Sequence, residues 1–296
     1  MATTDRKQPS MGNAAPLSEV TIVTVAYNSA GVLPRLLGSI PPGVPVVMVD
    51  NGISDDSADL AAKAGATVVR LAENEGFGRG CNAGAAVVAT PFLFFVNPDA
   101  RLEPECIDAL LEAVARYPDA SAFNPRIVNP SGRVELKRRS ALLPRSEWLR
   151  GVTPADDQQL PALTGGALFV RRDCFEQVGG FDPAIFLYHE DDDLSIRLRR
   201  DCGPLYFIHD AVVQHDAGHS SGRSPTVARF KGLHMARSRV YAMAKHGRPF
   251  GLARTLGSAL LNLILPHNLL SARRRAKHLG LVAGAWSARR DGGAYR

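Results

Sequence analysis

Apolar runs of five to seven residues punctuate the first hundred positions, each ending on polar residues. The runs 20–26, 45–49, 67–71 and 92–96 each read as a strand, the first of them buried by its length and β-branched composition. Between them lie segments of helical character: 32–40, 55–64 with Ser54 as N-cap, a glycine-opened stretch reaching 89, and 104–117. This alternation predicts an α/β fold built on a mostly parallel, doubly wound sheet with right-handed crossovers. Ligands of such sheets bind at the carboxyl ends of the strands. Three of the runs end there in Tyr27-Asn28, Asp50-Asn51 and Asn97-Pro98-Asp99.

Past residue 120 the pattern loosens. A strand is expected at 122–128, then a long loop over 130–160 carrying Lys137, Arg138 and Arg139, of the kind that is functional or mobile. Further strands are expected at 163–170, 205–208 and 211–213, a helix from 189 to 200, and helical structure from 225 onward. The chain divides into a disordered lead (1–18), a catalytic-sized domain (19–245) and a basic, amphipathic helical extension (246–296). Residues 255–272 are uncharged, but Asn262, Pro266, His267 and Asn268 argue against a membrane span. An interfacial helix or helical hairpin beside Arg273–Lys277 fits better.

Charge sharpens that reading. Of the net charge of +6, residues 251–296 hold eight Lys/Arg against the single acid Asp291, leaving the rest of the chain at −1. A nucleic-acid binder carries its basic face on the folded domain, so nucleic acid is excluded as a partner and an anionic membrane surface is expected instead. Cys81, Cys106, Cys174 and Cys202 form no CxxC pair and fit neither a zinc ribbon nor a disulfide framework; reduced thiols in a cytoplasmic protein are expected. The first 19 residues lack the apolar centre of a secretion signal.

Several clusters can carry chemistry. Asp50, at a strand end, can accept a hydrogen bond from a nucleobase or ribose, although Asp-Asn-Gly is also a turn sequence. The glycines of NEGFGRGCNAG (74–84) follow the third strand rather than the first, which argues against a dinucleotide-binding fingerprint. They can free backbone N–H groups for phosphate or sugar, or simply allow tight packing. Asp99 is a hard oxygen ligand suited to Mg2+ or Mn2+ bridging substrate phosphates, with Asn97 beside it. Glu103 and Glu105 read as acids at a helix start. In YHEDDDLSIRLRR (188–200) four consecutive acids open a helix with a buried side, where Asp193 and Arg197 stand at i and i+4. His215 and His219 lie in a loop-like segment, His215 being open to a metal role or a surface one.

Taken together, TVAYNS (24–29), VDNGISDDS (49–57), NEGFGRGCNAG, FVNPDA (95–100), LTGGALFVRR (163–172), VGGFDPAIFLYHEDDDLSIRLR (178–199) and HDAGHSSGR (215–223) run in one order that resembles glycosyltransferase family 2. They resemble in particular the bacterial rhamnosyltransferase branch of that inverting, GT-A-fold family. The resemblance implies a nucleotide site of Ala26, Tyr27, Asn28, Asp50, Asn51, Gly78, Asn82 and Asn97. It implies Asp99 as metal ligand where Asn97 replaces the first acid of the DXD motif, with His215 completing the site. It implies Asp191 as general base beside Glu190, and an acceptor and sugar side formed by Gly165, Gly166, Asp193 and Arg197. The implied partners are a nucleotide-diphospho-sugar, with dTDP-L-rhamnose first and galactofuranose or N-acetylglucosamine donors open, and a glycan or polyprenyl-linked acceptor. The implied place is the cytoplasmic face of the inner membrane, and a homodimer is compatible with the sequence. The QxxRW motif of processive synthases is missing. A sugar nucleotidyltransferase would need a glycine-rich basic loop that 26–40 lacks, and a non-catalytic sugar-nucleotide binder would not be expected to keep Asp50, Asp99, Asp191 and His215 together.

Overall fold

The computed structural model describes residues 15–52, 55–151, 153–216 and 224–290. Ser54, His219 and most of the lead therefore lie outside the described residues. The N-terminal half alternates β1 (Val20–Ala26), α1 (Leu33–Leu37), β2 (Val46–Asn51), α2 (Ser57–Lys63), β3 (Thr67–Leu71), α3 (Phe77–Ala85) and β4 (Phe92–Val96). Next come β5 (Ala100–Leu102), α4 (Cys106–Arg116), β6 (Ala122–Val128), β7 (Val134–Glu135), β8 (Gln158–Leu160), β9 (Ala167–Arg171) and α5 (Arg172–Gln177). The chain continues through α6 (Glu190–Asp201), β10 (Leu205–His215), α7 (Pro225–Lys245), α8 (Gly251–Leu263), α9 (Pro266–Leu269) and α10 (Ala272–Arg290).

One mixed sheet results, in the order β3-β2-β1-β4-β9-β6-β10-β5. The first four strands are parallel, as expected, and β6 and β10 are parallel to each other. Strand β9 enters antiparallel between β4 and β6, which the apolar pattern could not specify because strand direction is set by pairing. Both faces of β1 and β4 are covered, so every residue of each is buried. That explains their continuous apolar runs in place of alternation.

Several elements depart from the sequence reading, the helix α5 among them. Strand β5 was not anticipated. The two short strands near 205 and 211 are one strand, β10, whose register against β6 shifts between Ile208 and Val212. His209 and Asp210 interrupt its apolar run at that irregularity. The 130–160 loop contains the short strands β7 and β8.

The C-terminal helices pack onto the domain through α7. A Cβ on Gly284 of α10 would come within 2.0 Å of the Leu233 carbonyl oxygen of α7, so the two helix backbones approach as closely as glycine permits.

Candidate active site

At the carboxyl ends of β1, β2 and β4 lies a cavity of about 450 Å³. Its floor is Tyr27, Asn28, Asn51, Asn97 and Pro98, and its far wall is the first turns of α7 with Phe230 and Lys231. Ala26 is buried at the last register position of β1, directly beside Asp50 of β2, and Asp50 is itself buried. Asn28 takes a left-handed conformation (φ 55°) where the chain leaves the sheet.

Asn51 acts as a buckle. Its Nδ2 donates to Asn74 Oδ1 (3.1 Å) and to the Gly76 carbonyl (3.3 Å), and its Oδ1 accepts from the Glu75 N–H (3.0 Å). The glycine loop is thereby held over the cleft. Gly76 sits at φ 89°, and a Cβ there would come within 2.1 Å of the Phe186 carbonyl oxygen, so only glycine fits. Gly78 packs on Phe181. Asn82 is not brought to the cavity: its amide donates to the Phe181 carbonyl (2.8 Å) and accepts from the Phe181 N–H (2.9 Å), pinning α3 to a distant loop.

Beyond the end of β4, β5 pairs antiparallel with β10, setting Ala100 opposite His215 and so drawing Asp99 beside the imidazole. His215 Nε2 lies 3.3 Å from Asp99 Oδ1 and 3.3 Å from Asn97 Nδ2, while its Nδ1 lies 2.9 Å from Glu135 Oε2. Burial works against a charged imidazole, but the hydrogen bonds to Asp99 and Glu135 outweigh it and push His215 up to about 9. Two ligand atoms that each sit about 2.1 Å from a divalent ion stand roughly 3 Å apart, so Asp99 and His215 are spaced to share a cation once it displaces the proton on His215 Nε2. Glu135 on the opposite ring nitrogen is the outer carboxylate that metal-bound histidines usually carry. Among the described residues no group of three His, Cys, Asp or Glu could hold an ion, so the remaining ligands would have to come from a diphosphate and water.

On the other side, Tyr188 and His189 are both left-handed (φ 68° and 69°), a conformation that costs of order 1–3 kcal/mol for each such residue. The double turn launches α6 so that Asp191 in its first turn meets the Gly165 backbone. Asp191 Oδ2 accepts the Gly165 N–H (3.0 Å) and meets Lys137 Nζ (2.6 Å), and Oδ1 accepts the Asp192 N–H (2.9 Å). Gly166, next in the chain, accepts the Asn97 N–H at 3.0 Å, and a Cβ on it would stand 3.4 Å from the His215 ring.

Glu190 is buried, with Oε2 lacking any hydrogen-bond partner. Burial, followed by the charge of Asp191, pushes its carboxyl up to about 8. The unfolded chain releases this proton near pH 4.5 and the folded chain keeps it, so stability falls as pH rises from about 4.5 to about 8. Glu190→Gln is expected to abolish that fall, matching the parent near pH 4.5 and melting higher near pH 8. Parallel melting curves across the range would contradict it.

Asp193 and Arg197 were expected on the acceptor side, and the structure corrects this. Asp193 Oδ2 takes Arg197 Nε (2.9 Å) and Nη2 (2.7 Å), while Oδ1 takes Lys245 Nζ (2.7 Å) and His246 Nε2 (2.8 Å). The Asp193 side chain is 0% exposed, so the cluster ties α6 to the end of α7. Three contributors escaped the sequence reading: Glu135, Lys137 and the α7 wall at Phe230 and Lys231. Only Lys137 carried a signal, as part of a basic run in a long loop.

A family model described as Glycosyl transferase family 2 matches residues 21–179. The N-acetylglucosaminyl-diphospho-decaprenol L-rhamnosyltransferase of Mycobacterium tuberculosis is 31% identical over 239 residues, covering 69% of this chain and 78% of that protein. Among solved structures, Staphylococcus aureus TarS 1–349 in complex with UDP-GlcNAc superposes with a TM-score of 0.56 at 16% identity, over 94% of this chain and 93% of that one. The mannosyltransferase PcManGT of Pyrobaculum calidifontis, in complex with GDP-Man and Mn2+, superposes with a TM-score of 0.55 at 16% identity, over 96% and 91%. At that identity the two structures establish a shared fold.

Proposed function

The chain belongs to glycosyl transferase family 2, and from that premise we propose that it moves L-rhamnose from dTDP-L-rhamnose to a hydroxyl of a polyprenyl-diphosphate-linked N-acetylglucosaminyl acceptor, with inversion. The name of the relative from M. tuberculosis supports the rhamnosyl group and the acceptor; the dTDP carrier is what the rhamnosyltransferase resemblance implies. The observation that carries the chemistry is the Gly165-Gly166 segment. Gly166 holds Asn97 of the phosphate side, and Gly165 holds Asp191 of the base side, each at 3.0 Å.

In this reading the nucleotide lies between the end of β1 and the glycine loop, with Asp50 within reach of the base or ribose. When bound, a Mg2+ or Mn2+ held by Asp99 and His215 neutralises charge on the departing diphosphate. Asp191 takes the acceptor's hydroxyl proton as that oxygen bonds to the anomeric carbon and the bond to the diphosphate breaks on the opposite face. A positioned base of this kind contributes roughly 10²–10⁴-fold.

Membrane association belongs to the same reading. Among the described residues no helix is long and apolar enough to cross a membrane. Leu261, Ile264 and Leu270 are 61%, 68% and 88% exposed around the α8–α9 turn. Arg274 and Arg275 donate to the His267 and Leu269 carbonyls of α9, bringing basic and apolar groups onto one surface. Residues 251–290 contain no acid, which suits an anionic lipid surface on the cytoplasmic side.

The test is an assay with dTDP-L-rhamnose, a short-chain prenyl-diphosphate N-acetylglucosamine and Mg2+. The expected result is release of dTDP with formation of a rhamnosylated lipid, abolished by excess EDTA. Release of inorganic diphosphate would overturn the reaction class. Undiminished transfer in EDTA would remove the metal role of Asp99 and His215.

A further inference from the structure

Strand β7 pairs antiparallel with β6, and the chain continues from it into Leu136 and Lys137. Glu135 and Lys137 stand two residues apart, so in an extended segment their side chains leave the same face. They reach opposite ends of the site. Glu135 Oε2 lies 2.9 Å from His215 Nδ1, on the phosphate side. Lys137 Nζ lies 2.6 Å from Asp191 Oδ2 and 3.2 Å from Asp192 Oδ1, on the base side.

We propose that residues 135–137 form a strap that sets the base relative to the donor diphosphate, with Lys137 the positioning residue for Asp191. This rests on the transferase reading above. Lys137 is a poor candidate for contact with substrate: its side chain is 19% exposed and its ammonium is held by two carboxylates. Burial opposes its charge, but Asp191 and Asp192 hold it protonated well above the ordinary lysine value. Together with the Gly165 N–H, Lys137 occupies Oδ2 of Asp191. Oδ1 accepts the Asp192 N–H, and its second lone pair is the one left to take an acceptor proton. A carboxylate with one oxygen clamped cannot rotate away from the anomeric carbon, and a 1 Å misplacement of a reacting group can cost about a hundredfold.

The experiment compares Lys137→Met, Lys137→Arg and Asp191→Asn singly, with Lys137→Met also placed in the Asp191→Asn background. For Lys137→Met the strap predicts a kcat lowered between about tenfold and a hundredfold, with dTDP affinity and donor KM within about twofold of the parent. Lys137→Arg recovers most of the lost kcat. In the Asp191→Asn background, Lys137→Met causes no further loss, because its effect runs through the base. Wild-type kcat in Lys137→Met overturns the proposal, as does an equal fold-loss in both backgrounds. Loss of dTDP binding together with a lowered Tm in both Lys137 variants also overturns it, since the residue would then be only structural. If the parent protein transfers no sugar, it is the functional reading that fails; a transferring parent with an unaffected Lys137→Met variant fails the strap alone.

Discussion

Asp191→Asn is expected to lower the transfer rate by about 10²–10⁴-fold. Asparagine keeps the shape, and its single oxygen still accepts the Gly165 N–H while the contact to the Asp192 N–H and the proton acceptor are lost. In the proposed reading the nucleotide sits in the cavity lined by Tyr27, Asn28, Asn51 and Asn97, so its binding is expected to persist. Steady-state release of dTDP measures the first effect, and calorimetric titration with dTDP measures the second. Transfer at the parental rate would remove Asp191 as the base.

The other large effect concerns the fold. Asp193→Ala is expected to destabilise the protein by about 3–5 kcal/mol, because removing one member of a buried ion pair leaves the others without a counter-charge. Arg197 and His246 are nearly buried and Lys245 is partly so, which leaves them little water to replace the lost carboxylate. The melting temperature is expected to fall by roughly 10 °C. The same group carries an acid signature. Burial alone would raise the Asp193 carboxyl, but the hydrogen bond from His246 and the charges of Arg197 and Lys245 lower it to about 2. A lowered folded value means its stabilisation is complete above about pH 4 and is lost as pH falls toward 2. Asp193→Asn is therefore expected to flatten that part of the acid stability curve. An unchanged curve would show that the cluster is not the tie between α6 and α7.

The elements legible in the sequence were those whose signal is local. Strands β1, β3, β4 and β6 fall at the residues expected. For β1 and β4, buried along their whole length, the signal is a continuous apolar run. The polar residues at their ends were equally plain, since they break those runs. What stayed hidden depended on pairing across the sheet. Strand β5 is three residues long with Arg101 at its centre, too short for any periodicity, yet its pairing with β10 is what puts Asp99 beside His215. Glu135 and Lys137 looked like loop residues because β7 is only two residues long.

The Asp193–Arg197 pair was readable from its i, i+4 spacing, but its burial was not. Lys245 and His246, which close over Asp193, come from the C-terminal end of α7 and the residue that caps it, more than fifty residues away. Asn82 shows the opposite error: a polar residue inside a ligand-like motif was assigned to the ligand, when the backbone of Phe181 takes both ends of its amide. The wall that α7 adds to the cleft carries no local motif, because it arises from docking between distant parts of the chain.

The central claim is inverting transfer from a nucleotide-diphospho-sugar, with Asp191 and the Asp99–His215 pair on opposite sides of the anomeric carbon. Proton NMR of the product formed from dTDP-L-rhamnose and the prenyl-diphosphate acceptor tests it most directly. The account predicts a glycosidic linkage whose anomeric configuration is opposite to that of the donor, formed in step with dTDP. A product that keeps the donor's configuration would contradict it.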